Sequence, residues 1–293
     1  MRIRRSPIFE DSSLAEPAVP PLEGVRRVEK MMGTAIVVDV RQPVDPDLVE
    51  SVYDWLRWVE MTFSVFRPES EISRIGRGEL HTDHASPDVR RVLNRCEELH
   101  EATEGWFNHR PTDRPDRPLD PSGLVKGWSI DEAALMLRMA GVENFVINAG
   151  GDIWAHGRPD EDPWRIGIRH PDVPGASAAR LSVTNLAVAT SGRYERGDHV
   201  WGEADGGFLR SVSVIGPELG TADALATAIL ASGEALPDWL RAFPGYDLVL
   251  MTSDERLLWT PGADGLLLRD PPSGPGQPAV TGPHLPPGGN CDR

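Results

Sequence analysis

Between residues 164 and 215 three strand-like runs, 164–169, 182–189 and 210–215, follow one another with no helical periodicity between them. Parallel strands need a long crossover that is usually a helix, so successive runs of this kind favour antiparallel pairing. Further β-branched runs stand at "GTAIVVDV" (33–40), "ENFVIN" (143–148) and 247–251. Helical patterns are interspersed. "DPDLVESVYDWLRWVEMTF" sets Leu48, Val52, Trp55 and Val59 at helical spacing. "SPDVRRVLNRCEELHEATEG" offers Ser86 as N-cap, Pro87 as first helical residue and Gly105 just past the end. "SIDEAALMLRMAG" carries a Ser129 to Glu132 capping-box spacing and closes at Gly141, with an earlier start of the helix left open. A further helix is expected at 221–233. The pattern predicts an α+β fold of largely antiparallel sheets packed with helices.

The 293 residues are 40% hydrophobic and include nine Trp, enough for a substantial core. Residues 1–24 are rich in Pro and acidic groups and read as a flexible arm. The stretch 269–293 reads as a disordered Pro/Gly-rich tail, with seven Pro and five Gly from Asp270 onward. No linker of comparable length and no internal repeat interrupts 25–268, which is expected to be one domain.

Charge narrows the function. With 30 Lys and Arg against 45 Asp and Glu the formal charge is −15, which repels nucleic acid and anionic membranes at long range. A phosphate-bearing ligand would need local devices: a metal ion, a helix N-terminus or a few placed cations. Cys96 and Cys291 have no neighbours at ligand spacing, which argues against a cysteine zinc site and fits a reducing compartment. There is no signal-peptide pattern at the start and no 18-residue apolar window, so a cytoplasmic protein without membrane insertion is expected.

Four segments carry groups suited to chemistry. "LDPSGLVKGWSID" (119–131) brings Asp120, Gly123 and Lys126 together ahead of a helix, as a phosphate site or as an ordinary turn with a surface lysine. "VINAGGDIWAHG" (146–157) has two glycines after a strand, which would let a ring or diphosphate approach backbone or would simply turn a hairpin, with Asp152 capping the turn. "VATSGRYERGDHVWGEADGG" (188–207) offers Thr190, Ser191, Arg193, Arg196 and His199 in a glycine-punctuated loop. In "GTADALATAIL" (220–230), Asp223 and Thr227 sit four apart on one helix face. Two readings fit that pair: helix-dipole and back-bonding interactions, or two oxygen ligands for a hard cation.

In order, "MGT" (32–34), "FSVFRPESEISRI" (63–75), "GWFN" (105–108), "DPSGLVKGWSID", "NAGGDIWAHG", "ATSGRYERGDHV" and "ADALATA" (222–228) resemble the ApbE family, the FAD:protein FMN transferases. The resemblance implies a T-fold that binds FAD with its diphosphate at Mg2+. It implies metal ligation by the Asp223 and Thr227 side chains and the Gly123 carbonyl. It implies FAD contacts at Met32, Trp106, Phe107, Asn108, Asp120, Lys126 and His199, with His199 also a candidate for proton transfer. The implied reaction moves the FMN half of FAD to a Ser or Thr hydroxyl of an acceptor flavoprotein and releases AMP. Two departures stand out: "GEADG" (202–206) replaces the usual Asp-Pro-x-Thr-Gly run, and Asn108 stands where the family commonly has Asp. They keep two alternatives open, FAD pyrophosphatase activity and FAD binding without turnover.

Overall fold

The computed structural model describes residues 1–5, 24–112, 115–192 and 208–269. Its strands are β1 (Arg2–Arg5), β2 (Val25–Met31), β3 (Thr34–Val40), β4 (Phe145–Ala149), β5 (Asp152–His156), β6 (Trp164–Arg169), β7 (Ser177–Val183), β8 (Leu186–Gly192), β9 (Leu209–Gly216), β10 (Asp247–Thr252) and β11 (Arg256–Trp259). Its helices are α1 (Pro46–Phe63), α2 (Glu71–Gly76), α3 (Pro87–Ala102), α4 (Ser122–Met139) and α5 (Leu219–Ser232). Nine strands form one sheet in the order β1-β11-β10-β9-β8-β5-β4-β3-β2, and β6 pairs with β7 in a separate hairpin. Every pairing is antiparallel.

Central strands are buried on both faces, and the two-residue period of the pleat decides which core each side chain joins. Trp154, Ala187, Ala189, Val212, Val214, Leu248 and Leu250 face the helices. Their neighbours Ile153, Ala155, Val188, Ile215, Val249 and Met251 face the β6–β7 hairpin, meeting Ile166, Ile168 and Leu181. Burial of this kind stabilises by about 25 cal/mol per Å2 of apolar surface. The buried stripe of α1 keeps the expected Val52 and Val59 but takes Val49 and Leu56 in place of Leu48 and Trp55, so Trp55 stays partly exposed and donates its indole N–H to the Ser129 carbonyl (2.9 Å).

Three sequence expectations are corrected. The single run 182–189 is two strands in two sheets, because Asn185 adopts a left-handed φ of 54° and reverses the chain; Asn tolerates that region, and the apolar alternation simply continues through the turn. Ser129 caps nothing: it lies inside α4, fully buried, and its hydroxyl donates to the Lys126 carbonyl (2.7 Å). The helix begins seven residues earlier, where Asp120 accepts from Ser122 N–H (3.1 Å). Finally, Arg2–Arg5, expected in a flexible arm, pair with Arg256–Trp259 as an edge strand.

Pro121, Gly123 and Gly127 mask the start of α4 because all three lower helix propensity. Packing explains Gly127: a Cβ there would lie 2.5 Å from the Leu219 carbonyl oxygen, and one at Gly220 would lie 2.9 Å from Trp128 N. The two helices therefore touch backbone to backbone. Across that contact Asp131 of α4 caps α5, accepting from Leu219 N–H and Gly220 N–H (both 2.8 Å) and from the Trp154 indole (2.9 Å). These donors satisfy groups that a helix start leaves open. Burial pushes the Asp131 carboxyl up to about 6, against the downward pull of its three donors.

Gly127→Ala must part the helices and is expected to lower stability by about 1–3 kcal/mol in denaturant unfolding. Asp131→Asn presents an amide N–H to groups that are already donors, and should lower stability by about 1–3 kcal/mol. Because the folded carboxyl holds its proton at higher pH than the unfolded one, the wild type gains stability from this group as pH falls from about 6 towards 4. The gap between wild type and Asp131→Asn should therefore widen on acidification; a gap that narrows contradicts the raised value.

Candidate functional site

A cavity of about 820 Å3 opens between the β2–β3 turn, the end of α1, the 105–111 loop, the start of α4 and the Asp223, Thr227 and Ala231 side of α5. Met32, Trp106, Phe107, Asn108, Asp120, Gly123, Lys126, Asp223 and Thr227 all line it. A second cavity, of about 890 Å3 between the sheet and the β6–β7 hairpin, holds none of them. Residues as far apart in the chain as Met32 and Thr227 are thus brought to one concavity whose volume lies in the small-molecule range.

One part of the wall is apolar. Met32 and Gly33 turn the β2–β3 hairpin with φ of 50° and 75°, the pair of left-handed residues that a two-residue turn needs. Met32 is the costly member, and its N–H is held by Glu60 Oε1 on α1 (3.0 Å). Phe107 is buried and fixed at both ends of its peptide: its N–H donates to Thr103 Oγ1 (2.9 Å) and its carbonyl meets His100 Nδ1 (2.8 Å). A Cβ on Gly123 would come within 3.3 Å of the Phe107 ring, so glycine leaves room for that ring. Trp106 is exposed beside it, and Asn108 uses its side-chain oxygen to accept from Arg110 N–H (2.8 Å).

The other part is polar. Asp223 and Thr227, one turn apart on α5, face the cavity together with the first turn of α4. Thr227 Oγ1 lies 3.3 Å from Ser191 Oγ at the end of β8, and a Cβ on Gly123 would stand 3.9 Å from the same oxygen. Lys126 Nζ is ion-paired with Asp152 and lies 3.7 Å from Asp223 Oδ2; both carboxylates are 2% exposed, the lysine side chain 30%. Buried carboxylates are tolerated when a cation and hydrogen bonds compensate them. The start of α4 adds a positive dipole end beside Ser122 and Gly123.

His199 lies outside the described residues, as do Arg193, Arg196 and the 202–206 run. The double glycine is a hairpin turn between β4 and β5, with φ of 67° and 108°. Asp152 does not cap it; Asn148 Oδ1 does, accepting from Gly151 N–H (2.9 Å). Sequence reasoning missed Glu60, and it noted 63–75 as a family segment without assigning a site role to the stretch from Phe63 to Arg67, which lines the cavity where α1 ends. The available signal was the apolar run Val65 and Phe66 beyond the helix, with Phe66 75% exposed.

The model of the ApbE family matches residues 32–111 and 109–250. A FAD:protein FMN transferase of Vibrio cholerae is 33% identical over 161 residues, 50% of this chain and 47% of that protein. One from Treponema pallidum is 32% identical over 166 residues, 47% of this chain and 45% of that protein. The chain thus matches about half the length of these curated relatives. In fold it is similar to a flavin transferase ApbE of Vibrio cholerae (TM-score 0.68, 23% identity, 83% of this chain and 99% of that one). It is similar also to an ApbE protein of Thermotoga maritima (TM-score 0.70, 19% identity, 84% and 100%). Since the family match extends over most of the sequence, including every described residue of the cavity's polar part, the chain belongs to the ApbE family.

Proposed function

We propose that this chain is a FAD:protein FMN transferase. The observation that carries the reading is the convergence of nine family-matched residues on one cavity that joins an aromatic wall to a lysine, a helix start and oxygen donors. Named relatives with that activity support it.

The ligands proposed for the metal are all oxygen donors, the Asp223 carboxylate, the Thr227 hydroxyl and the Gly123 carbonyl, from three residues that line the cavity. Among the described residues no cluster of three His, Cys, Asp or Glu could hold a metal. One carboxylate with neutral oxygens suits magnesium, which keeps waters and takes substrate phosphate oxygens as further ligands. When bound, Mg2+ would offset diphosphate charge and the charge that develops on departing AMP.

The chain's own groups would do the rest. Phe107 and Trp106 receive the flavin ring, while Lys126 and the first turn of α4 attract the diphosphate. A Ser or Thr hydroxyl of the acceptor flavoprotein attacks the phosphorus of the FMN half; the new P–O bond forms as the P–O bond to AMP breaks. The hydroxyl proton is released, with His199 proposed to take it. The absence of a long apolar helix among the described residues is compatible with an acceptor met in water or at a membrane surface.

Purified protein incubated with FAD and Mg2+ should release AMP only when a Thr-containing acceptor flavoprotein is present, with matching covalent mass gain on the acceptor. AMP without acceptor would instead indicate a pyrophosphatase, and bound FAD without AMP a non-catalytic binder. Asp223→Ala should cut kcat/KM at least about 100-fold, equivalent to about 2.7 kcal/mol of transition-state stabilisation. Full activity in that variant would remove Asp223 from the metal site. His199→Ala should lower turnover and flatten its pH profile; an unchanged profile rejects the proton-transfer role.

A further inference from the structure

Asp152 pairs through its backbone with Ala149 across the β4–β5 turn, but its side chain points to other elements instead of capping that turn. It opens β5 and is 2% exposed. Its Oδ1 accepts from Thr190 N–H of β8 (2.9 Å), and its Oδ2 is ion-paired with Lys126 Nζ of α4. Thr190 is fixed in turn by contact of its hydroxyl with Ser213 of β9 (2.8 Å), and the next residue, Ser191, reaches Thr227 (3.3 Å). One carboxylate therefore ties α4 to the pair of strands behind the oxygen donors.

The position of Lys126 gives that tie a consequence. Its ammonium is in contact with Asp152 yet only 3.7 Å from Asp223 Oδ2. An ammonium that closed the remaining distance would compete for the oxygen that a divalent cation uses. We infer that Asp152 is a positioning residue: as the closer partner of Lys126 it keeps the Lys126–Asp223 ion pair at its long 3.7 Å separation, so that a divalent cation can compete for the Asp223 carboxylate. The inference rests on the metal reading proposed above for Asp223. With Asp152 charged, the lysine has a closer partner; with Asp152 neutral, Coulomb attraction draws the ammonium to Asp223.

The test is a double-mutant cycle read by metal binding and independent of turnover. Mn2+ alone is titrated into the FAD-free protein and followed by electron paramagnetic resonance, with thermal unfolding recorded for each variant. Asp152→Asn keeps an acceptor for Thr190 N–H and removes the charge. It should raise the Mn2+ dissociation constant at least ten-fold in the wild-type background. In a Lys126→Met background, or Lys126→Gln if Met destabilises the fold, the same change should raise it less than three-fold, because no ammonium remains to compete.

A loss that persists at full size without Lys126 would overturn the inference, since a general field effect or a loosened fold does not depend on the lysine. Equal Mn2+ affinity in wild type and Asp152→Asn would overturn it while leaving the metal site standing. If the wild type binds no Mn2+ that Asp223→Ala abolishes, the metal reading falls and the role of Asp152 falls with it.

Discussion

At Gly127 and Gly220 the two central helices meet with no side chain between them, and the polar groups of the cavity are placed by that contact. On α4, Gly123, Gly127 and Asp131 recur every four residues and form one ridge. On α5, Gly220, Asp223 and Thr227 form the facing ridge. The helices run antiparallel across it: Asp131 holds the first N–H groups of α5, and Gly123 adjoins Thr227 about two turns further on. A bulkier residue at the crossing would separate Gly123 from Thr227 even though neither had changed. Small residues in α5 thus serve close approach as much as burial, and the same approach brings Lys126 within reach of both Asp152 and Asp223.

The sheet contributes through its two faces. Because the central strands alternate between a helix-side core and a hairpin-side core, they are held on both sides, and their ends are a firm base for polar residues. Asp152 and Ser191 stand at such ends, where the ladder gives way to the cavity. The acidity of the chain as a whole is compatible with a diphosphate ligand only if positive potential is supplied locally. The α4 N-terminus and Lys126 are the positive groups at the cavity, but Lys126 is already paired with Asp152 and Asp223, so the proposed reading leaves the rest of that potential to a divalent cation.

Local pattern made much of this legible. The capped ends of α3, the amphipathic α1 and the four-residue spacing of Asp223 and Thr227 are properties of short segments, and the structure retains them. What escaped depends on contacts between segments. Gly127 and Pro121 lower helix propensity locally, and the reason for tolerating Gly127 lies on α5. The alternation of 177–192 runs through a reversal that only the left-handed Asn185 marks. Asp131 and Asp152 carry no local signature at all: one caps a helix 88 residues away, the other pairs with a lysine on a different element. Motif order in the family supplied what spacing could not, by grouping residues whose proximity is a property of the fold.

The Asn at 108 illustrates how a departure from family pattern can preserve geometry while changing charge. Its side-chain oxygen accepts from Arg110 N–H, a bond that an aspartate would make equally well. The neighbouring loop is held independently, by Thr103 and His100 on Phe107 and by the His109 carbonyl, which accepts from Asp120 N–H (2.8 Å). Nothing in that support requires a carboxylate at 108. What the amide removes is one negative charge from a cavity wall that already carries Asp120 and Asp223 and that is proposed to receive a diphosphate. On electrostatic grounds that change favours an anionic ligand, so Asn108 by itself is no argument against a working site.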